Sequence, residues 1–267
     1  MRSLAVFLSA LLTLSVPSPA STQTSVTQTS PAQALSLLQQ SLAALVGNTT
    51  LSDITLTGSV RRIAGSDDET GTGVLAALVA GASRVDLSFP SGTRSELTNF
   101  LAADAFGFRA GPDGVSHAIA LHNLLTGPSW FFPAFHLSRV SGSSDYVFSY
   151  VGPEVHNGQA VQHVSVWQKA SALSDPPDVS FAHLTQVDFF LDPTSLFPVA
   201  ISFNTHPEEN ALVDVPIEVR FSNYRVVNGV QIPFQIQKFL NNGLVLDFEV
   251  QTATPNSGLS SATFANL

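Results

Sequence analysis

Cysteine is absent from the 267 residues. That excludes a disulfide framework, a thiolate metal site, a thiol nucleophile and a lipid-modified N-terminal cysteine. Charge is scarce at 12% of residues, and cations are scarcer still: 11 Lys and Arg against 20 Asp and Glu leave a formal net charge of -9. A chain of that sign has no broad footprint for nucleic acid or for anionic lipid headgroups. Beyond the N-terminus no apolar run is long enough to span a bilayer. No serine lies in a Gly-x-Ser-x-Gly elbow, no helix carries the zinc-protease motif, and no repeat of fixed period occurs. The seven histidines, His117, His122, His136, His156, His163, His183 and His206, are scattered and specify no metal site at the level of sequence. No catalytic residue, metal or cofactor is therefore assigned.

What is present begins with an address. Arg2 supplies a positive charge, Leu4 to Val16 an apolar stretch, and Ser18-Pro19-Ala20 a small-residue cleavage site. The expectation is a signal peptide over 1–20, a disordered polar linker of Ser, Thr and Gln over 21–29, and a single domain over 30–267. Export without cysteine suits a bacterial envelope, periplasmic or extracellular. Hydrophobic residues at 44% are enough to build a core.

The body is mainly β. From Gln186 to Thr252 apolar residues recur with period 2: Val187, Phe189, Leu191; Val199, Ile201, Phe203; Ile217, Val219, Phe221; Ile232, Phe234, Ile236; and Leu244, Leu246, Phe248, Val250. Polar residues alternate with them, so one face should be dry and the other wet. Asn228-Gly229 and Asn242-Gly243 punctuate the runs as hairpin turns, giving an antiparallel meander. A second meander is expected from Ile54 to Asp113-Gly114, with Ser66-Asp67-Asp68-Glu69 as an acidic tip, and a hairpin around Asn157-Gly158. Ser171 to Ser180 reads as a surface loop. Gly71-Thr72-Gly73-Val74-Leu75-Ala76 fits the dinucleotide fingerprint literally, but the three carboxylates before it would repel a pyrophosphate.

Two segments break the period. Ser30, Pro31 and Gln33 punctuate the start of a helix whose Leu35, Leu38, Leu42 and Leu45 share a face and which stops at Gly47. Ala118 to Val140 is apolar without period 2, carries Trp130, Phe131, Phe132 and Phe135, and reads as short helices or a lid-like loop.

Several stretches resemble the periplasmic lipoprotein-carrier superfamily, the LolA and LolB type. Ser83-Arg84-Val85-Asp86-Leu87 is similar to its Arg-containing strand, and Gly111-Pro112-Asp113-Gly114-Val115 to the Asp-Gly turn that follows. The run from Phe221 to Phe234 is similar to its Tyr, Gly-Val and Pro-Phe signature. One departure stands out: the aromatic-rich strand after the Asp-Gly turn is here Ser116-His117-Ala118-Ile119, and the aromatics sit in Trp130 to Phe135 instead. The resemblance implies a strongly curved antiparallel half-barrel, with an N-terminal helix and a helical or loop lid on its concave face, and acyl chains bound between them. It also makes Arg84 a candidate latch to the lid, the alternative being a solvated charge on its strand. Candidate ligand-binding residues are thus Trp130, Phe131, Phe132, Phe135, Arg84, Phe234 and Phe248. The partner would be a hydrophobic small molecule, a lipid or a lipoprotein acyl chain, with an envelope protein as a further partner. Two alternatives stay open: a structural or interaction module whose concave face is completely filled, and a hydrolase whose Ser, His and carboxylate meet only in space.

Overall fold

A computed structural model describes residues 30–100, 105–169 and 179–266. The expected signal peptide, the linker and most of the Ser171 to Ser180 loop lie outside the described residues. Helix α1 (Pro31–Val46) opens the described chain. Six strands follow: β1 (Asp53–Ala64), β2 (Asp67–Leu78), β3 (Ser83–Phe89), β4 (Gly92–Asn99), β5 (Phe106–Ala110) and β6 (Ser116–Ala118). Then come α2 (Leu121–Leu124), α3 (Pro133–Ser141), the hairpin β7 (Tyr146–His156) and β8 (Gln159–Gln168), and α4 (Val179–Thr185). The final meander is β9 (Val187–Leu191), β10 (Pro198–Thr205), β11 (Val215–Val227), β12 (Val230–Leu240) and β13 (Gly243–Pro255), followed by a 3-10 turn at Ser261–Phe264.

All thirteen strands form one antiparallel sheet in the order β6-β5-β4-β3-β2-β1-β13-β12-β11-β10-β9-β8-β7, curved into a half-barrel that does not close. The chain starts at the middle, runs to one edge, crosses to the other through α2 and α3, and returns. Pairing of β1 with β13, in which Val60 faces Phe248, joins the two meanders. The crossing segment therefore has to pass over one face, and an apolar face is what it covers.

Local chemistry explains the element ends. Ser30 accepts a hydrogen bond from the Gln33 amide at 3.4 Å, and Gly47 ends α1 at φ 54°, a conformation that favours glycine. The buried stripe of α1 is Ala34, Leu38, Ser41 and Leu45, with Leu35 and Leu42 half-buried at its border. Asn157-Gly158 and Asn228-Gly229 have positive φ at both residues, as type I′ hairpins require. The β12–β13 turn is Asn241-Asn242, one residue earlier than the Asn-Gly pair suggests, because the two asparagines take the positive φ values. The acidic trio is not a free hairpin tip. It opens β2, where Asp68 pairs with Arg61 at 2.6 Å and Glu69 lies 3.6 Å from Arg62.

The period-2 residues of β9 to β13 bury as expected with two exceptions, Leu244, which is half-buried beside the β12–β13 turn, and Val199. A bulge between Pro198 and Ala200 shifts the register of β10 against β9, so Val199 leaves the dry face and packs beside Val161, Phe190 and Ala200 on the outer one. The Gly-Thr-Gly of β2 is explained by packing rather than by phosphate binding. A Cβ at Gly73 would come within 2.7 Å of Phe248 and 2.8 Å of Leu87, so the glycine is what lets a fully buried aromatic lie against the sheet.

Candidate functional site

The concave face has two halves. Over one, α1 and α3 supply Ala34, Leu38, Leu45, Ala134, Leu137 and Val140 to a single apolar cluster with the strand residues. Phe131, Phe132 and Phe135 belong to it and are 0–3% exposed. Trp130 meets Phe131 edge-on at 5.6 Å, and Phe132 meets Phe135 at 4.9 Å. This half is filled.

Over the other half α1 and α3 do not reach, and a half-open cavity of about 900 Å³ remains. The turn after β1, the β12–β13 turn and the start of the β10–β11 loop frame it, and α2 roofs it. Gly107 seats that roof: a Cβ there would stand 2.5 Å from Leu124 and 3.2 Å from Ile119. Apolar walls come from Leu87, Ile119, Leu124, Phe203, Ile217 and Leu246. Into the same space project Arg62, Arg94, Arg109, Lys238, Glu96 and Glu208. Strand register puts them there. Arg62 pairs with Leu246 and Lys238 pairs with that same Leu246, while Arg94 faces Leu87 and Glu96 faces Arg109. A second cavity of about 660 Å³ shares Leu87, Arg94, Glu96 and Arg109, so this charged row is a ridge between two hollows.

Lys238 is the most unusual of these groups. Its Nζ sits 4.4 Å from the centre of the Trp130 ring, a cation–π approach. Burial lowers its pKa below the ordinary lysine value; Glu96 opposes that and Arg109 adds to it. Although deep in the fold, Lys238 is not fully buried, because it borders the cavity.

A polar clasp spans the mouth. The side chain of Asn123 donates to the His206 carbonyl at 2.7 Å and accepts from the His206 amide at 2.7 Å and the Thr205 hydroxyl at 2.9 Å. Glu208 accepts from the Ala120 amide at 2.6 Å and lies 3.9 Å from Arg109. His122 meets the Pro207 carbonyl at 3.2 Å. These contacts tie β5 and α2 to the loop after β10, although β5 and β10 stand eight places apart in the sheet order.

Of the seven candidate ligand-binding residues taken from the sequence, Trp130 alone lines the cavity. Phe131, Phe132 and Phe135 form its filled neighbour, Phe248 is fully buried over Gly73, and Phe234 packs in the same cluster with the Arg225 guanidinium 4.3 Å above its ring. The latch expected of Arg84 is not formed. Arg84 is on the opposite face, bonded to Asp86 at 2.6 Å and to the Asn266 carbonyl at 2.8 Å, next to the small cluster that Phe264 makes with Ala76, Ala82 and Leu97. The cavity cations were missed, and a signal existed: Lys238 continues the Ile232, Phe234, Ile236 period, and Arg62 that of Leu56 and Val60.

The histidines are more gathered than their spacing suggests. His183, His206 and Asp214 offer ligand atoms within 4.8 Å of one another, the one such group among the described residues. His183 is 2.9 Å from Asp214, while the Nδ1 of His206 faces the Val213 carbonyl at 3.1 Å, which leaves its buried Nε2 as the free donor for an ion. His156 pairs with Glu218 at 2.8 Å and stacks on Phe190 at 3.7 Å. His163 pairs with Asp188 at 3.1 Å and Glu154 at 3.3 Å. Burial works against charge on His163, but the Asp188 hydrogen bond and the Asp188 and Glu154 charges outweigh it and raise the pKa. Among the described residues no serine hydroxyl is hydrogen-bonded to a histidine, and no helix is long and apolar enough to cross a membrane.

No protein-family model matches the chain, and no curated protein matches it. Solved structures do. A domain assigned to outer membrane lipoprotein sorting from Vibrio parahaemolyticus aligns with a TM-score of 0.55 at 14% identity, over 88% of this chain and 97% of that one. A DUF1329 family protein from Desulfovibrio piger gives 0.53 at 13%, covering 88% and 96%. A LolA superfamily protein from Nitrosomonas europaea gives 0.53 at 13%, covering 87% and 97%. At such identities the likeness is one of fold, and it agrees with the half-barrel that the resemblance of the Phe221 to Phe234 run implies.

Proposed function

We propose that this protein is an exported envelope protein without enzymatic activity that binds an apolar or amphipathic small molecule, such as an acyl chain, a lipid or the acyl part of a lipoprotein. The observation that carries the reading is the cavity of about 900 Å³ on the concave face of a LolA-type sheet. That volume lies within the range of about 300–1,000 Å³ typical of ligand pockets. The same cavity weighs against a wholly filled interaction module.

Burying a chain of about fourteen methylenes gains roughly 11 kcal/mol gross at about 0.8 kcal/mol each. Immobilisation and ordering offset much of that, which leaves affinity at about the micromolar level. Trp130 is the natural reporter, since its ring borders the cavity, and Trp167→Phe removes the other tryptophan. In that background a series of alkyl ligands should bind more tightly as the chain lengthens and should change the Trp130 emission. Leu244→Trp, which puts bulk on a half-buried cavity wall, should abolish the response without unfolding the protein. Binding that ignores both chain length and the Leu244→Trp block would refute the proposal.

A further inference from the structure

Four of the chain's eleven Lys and Arg residues line this one cavity. Against Arg62, Arg94, Arg109 and Lys238 stand two lining carboxylates, Glu96 and Glu208, although the chain as a whole carries -9. Two of the cations have counter-ions: Arg109 lies 3.9 Å from Glu208, and Arg62 lies 3.6 Å from Glu69, too far for a hydrogen bond. Arg94 and Lys238 have no carboxylate within 4 Å among the described residues.

Unpartnered atoms point the same way. Among the described residues, the buried side-chain nitrogens that make no hydrogen bond include Nη1 of Arg62, Nε of Arg94 and Nε1 of Trp130. Arginine and the tryptophan indole donate and cannot accept, and every donor-only group in that set lines the cavity. A buried donor left without an acceptor is costly, and more so when charged. Nη1 of Arg62 has the Glu69 carboxylate at 3.6 Å, so the donors left without any acceptor are those of Arg94 and Trp130. Their residues line the same space as the Lys238 ammonium, which has no carboxylate within 4 Å among the described residues, and a ligand that matches them has to supply acceptor oxygens and negative charge. The adjacent walls, Leu87, Ile119, Leu124, Ile217 and Leu246, require the rest of that partner to be apolar.

We infer that the cavity is a receptor for an anionic amphiphile, whose carboxylate or phosphate head accepts from Arg62, Arg94 and the Trp130 indole and pairs with Lys238, while its chain lies along the apolar walls. This rests on the cavity-binding reading and narrows its ligand class. It also accounts for an acidic protein holding basic side chains inward. Diffuse anionic surfaces are repelled by the net charge, whereas a single head inside the cavity meets a local excess of cations.

The test uses three probes with one sixteen-carbon chain, palmitate, hexadecyl phosphate and hexadecanol, each below its micelle concentration, with inorganic phosphate alone as a fourth. Titrations of the parent protein should give at least one anion about tenfold or more tighter than hexadecanol, with the gap narrowing as salt is added. Which anion binds better separates a carboxylate from a phosphate head. Lys238→Met should weaken the anions about tenfold and leave hexadecanol within about twofold, the loss of one charge-assisted contact. Arg94→Met is the second variant, read the same way if the first does not fold. Hexadecanol binding as tightly as both anions would overturn the inference while sparing the cavity reading. So would anion affinities that neither substitution moves. Inorganic phosphate matching hexadecyl phosphate would overturn the amphiphile, and failure of all chain-bearing probes would remove the cavity reading as well.

Discussion

His136 makes the protein's stability depend on pH in a way that can be worked out beforehand. The ring lies on α3, is 1% exposed, and neither nitrogen makes a hydrogen bond of good geometry. Its pKa is pushed down to about 3, first by burial and then by the nearby Arg139 charge. The Pro128 carbonyl favours the charged ring only weakly, at a geometry short of a hydrogen bond. In the unfolded chain the same group titrates near its ordinary value of about 6.5. Below that pH the unfolded state takes up a proton that the folded state refuses. The stability associated with a neutral His136 is therefore complete above about pH 6.5 and is lost progressively as pH falls towards about 3. The slope is about 1.4 kcal/mol per pH unit, and the full loss about 5 kcal/mol, comparable to the whole stability of a marginal domain. His163 acts with the opposite sign, because its pKa is raised: its contribution is full below its unfolded pKa and is lost as pH rises through the folded one. The difference between parent and His136→Leu isolates the first effect. Urea unfolding followed by circular dichroism between about pH 6.5 and pH 5, above the range where Asp53 and Glu218 lose their contributions, should show the parent falling by roughly 2 kcal/mol relative to the variant. Parallel curves for the two proteins would refute the account of a buried, neutral His136.

Two further expectations follow from register and from the address. Phe248→Ala, which empties a fully buried site over Gly73, should cost about 3–5 kcal/mol, whereas Glu249→Ala on the exposed face should stay within about 0.5 kcal/mol; equal midpoints in denaturant would show the faces to be misassigned. Protein recovered from the envelope of an expressing bacterium should begin at Ser21 by intact mass, and retention of residues 1–20 after export would remove the secretory reading.

Much of the fold was legible because β-sheet alternation is a local signal. Val187, Phe189, Ile217, Val219, Ile232 and Phe248 bury where period 2 places them, and the Asn-Gly pairs mark turns because few other residues accept positive φ. Two events escaped for physical reasons. The bulge that turns Val199 outward is set by pairing with β9 rather than by its own neighbours in sequence. The acidic trio looked like a hairpin tip because its partners, Arg61 and Arg62, sit on the facing strand, where a one-strand reading does not look.

The candidate site was legible only in outline, and the reason lies in what apolar side chains can specify. Aromatic clustering in Trp130 to Phe135 marks a place where much surface must leave water, but it does not say whether protein or ligand takes that surface. Here α1 and α3 take most of it. What distinguishes the remaining space is residues that break the rule of the dry face: Lys238 stands where the period of Ile232, Phe234 and Ile236 calls for another apolar side chain, and Arg62 does the same after Leu56 and Val60. A charge in phase with a core is costly to bury in a closed fold, so two of them on neighbouring sides of Leu246 mean that the sheet is not packed shut at that level. Polar residues in phase with the apolar face of a half-barrel, rather than its largest hydrophobic cluster, mark the cavity, which lies where the strands end at the β12–β13 turn.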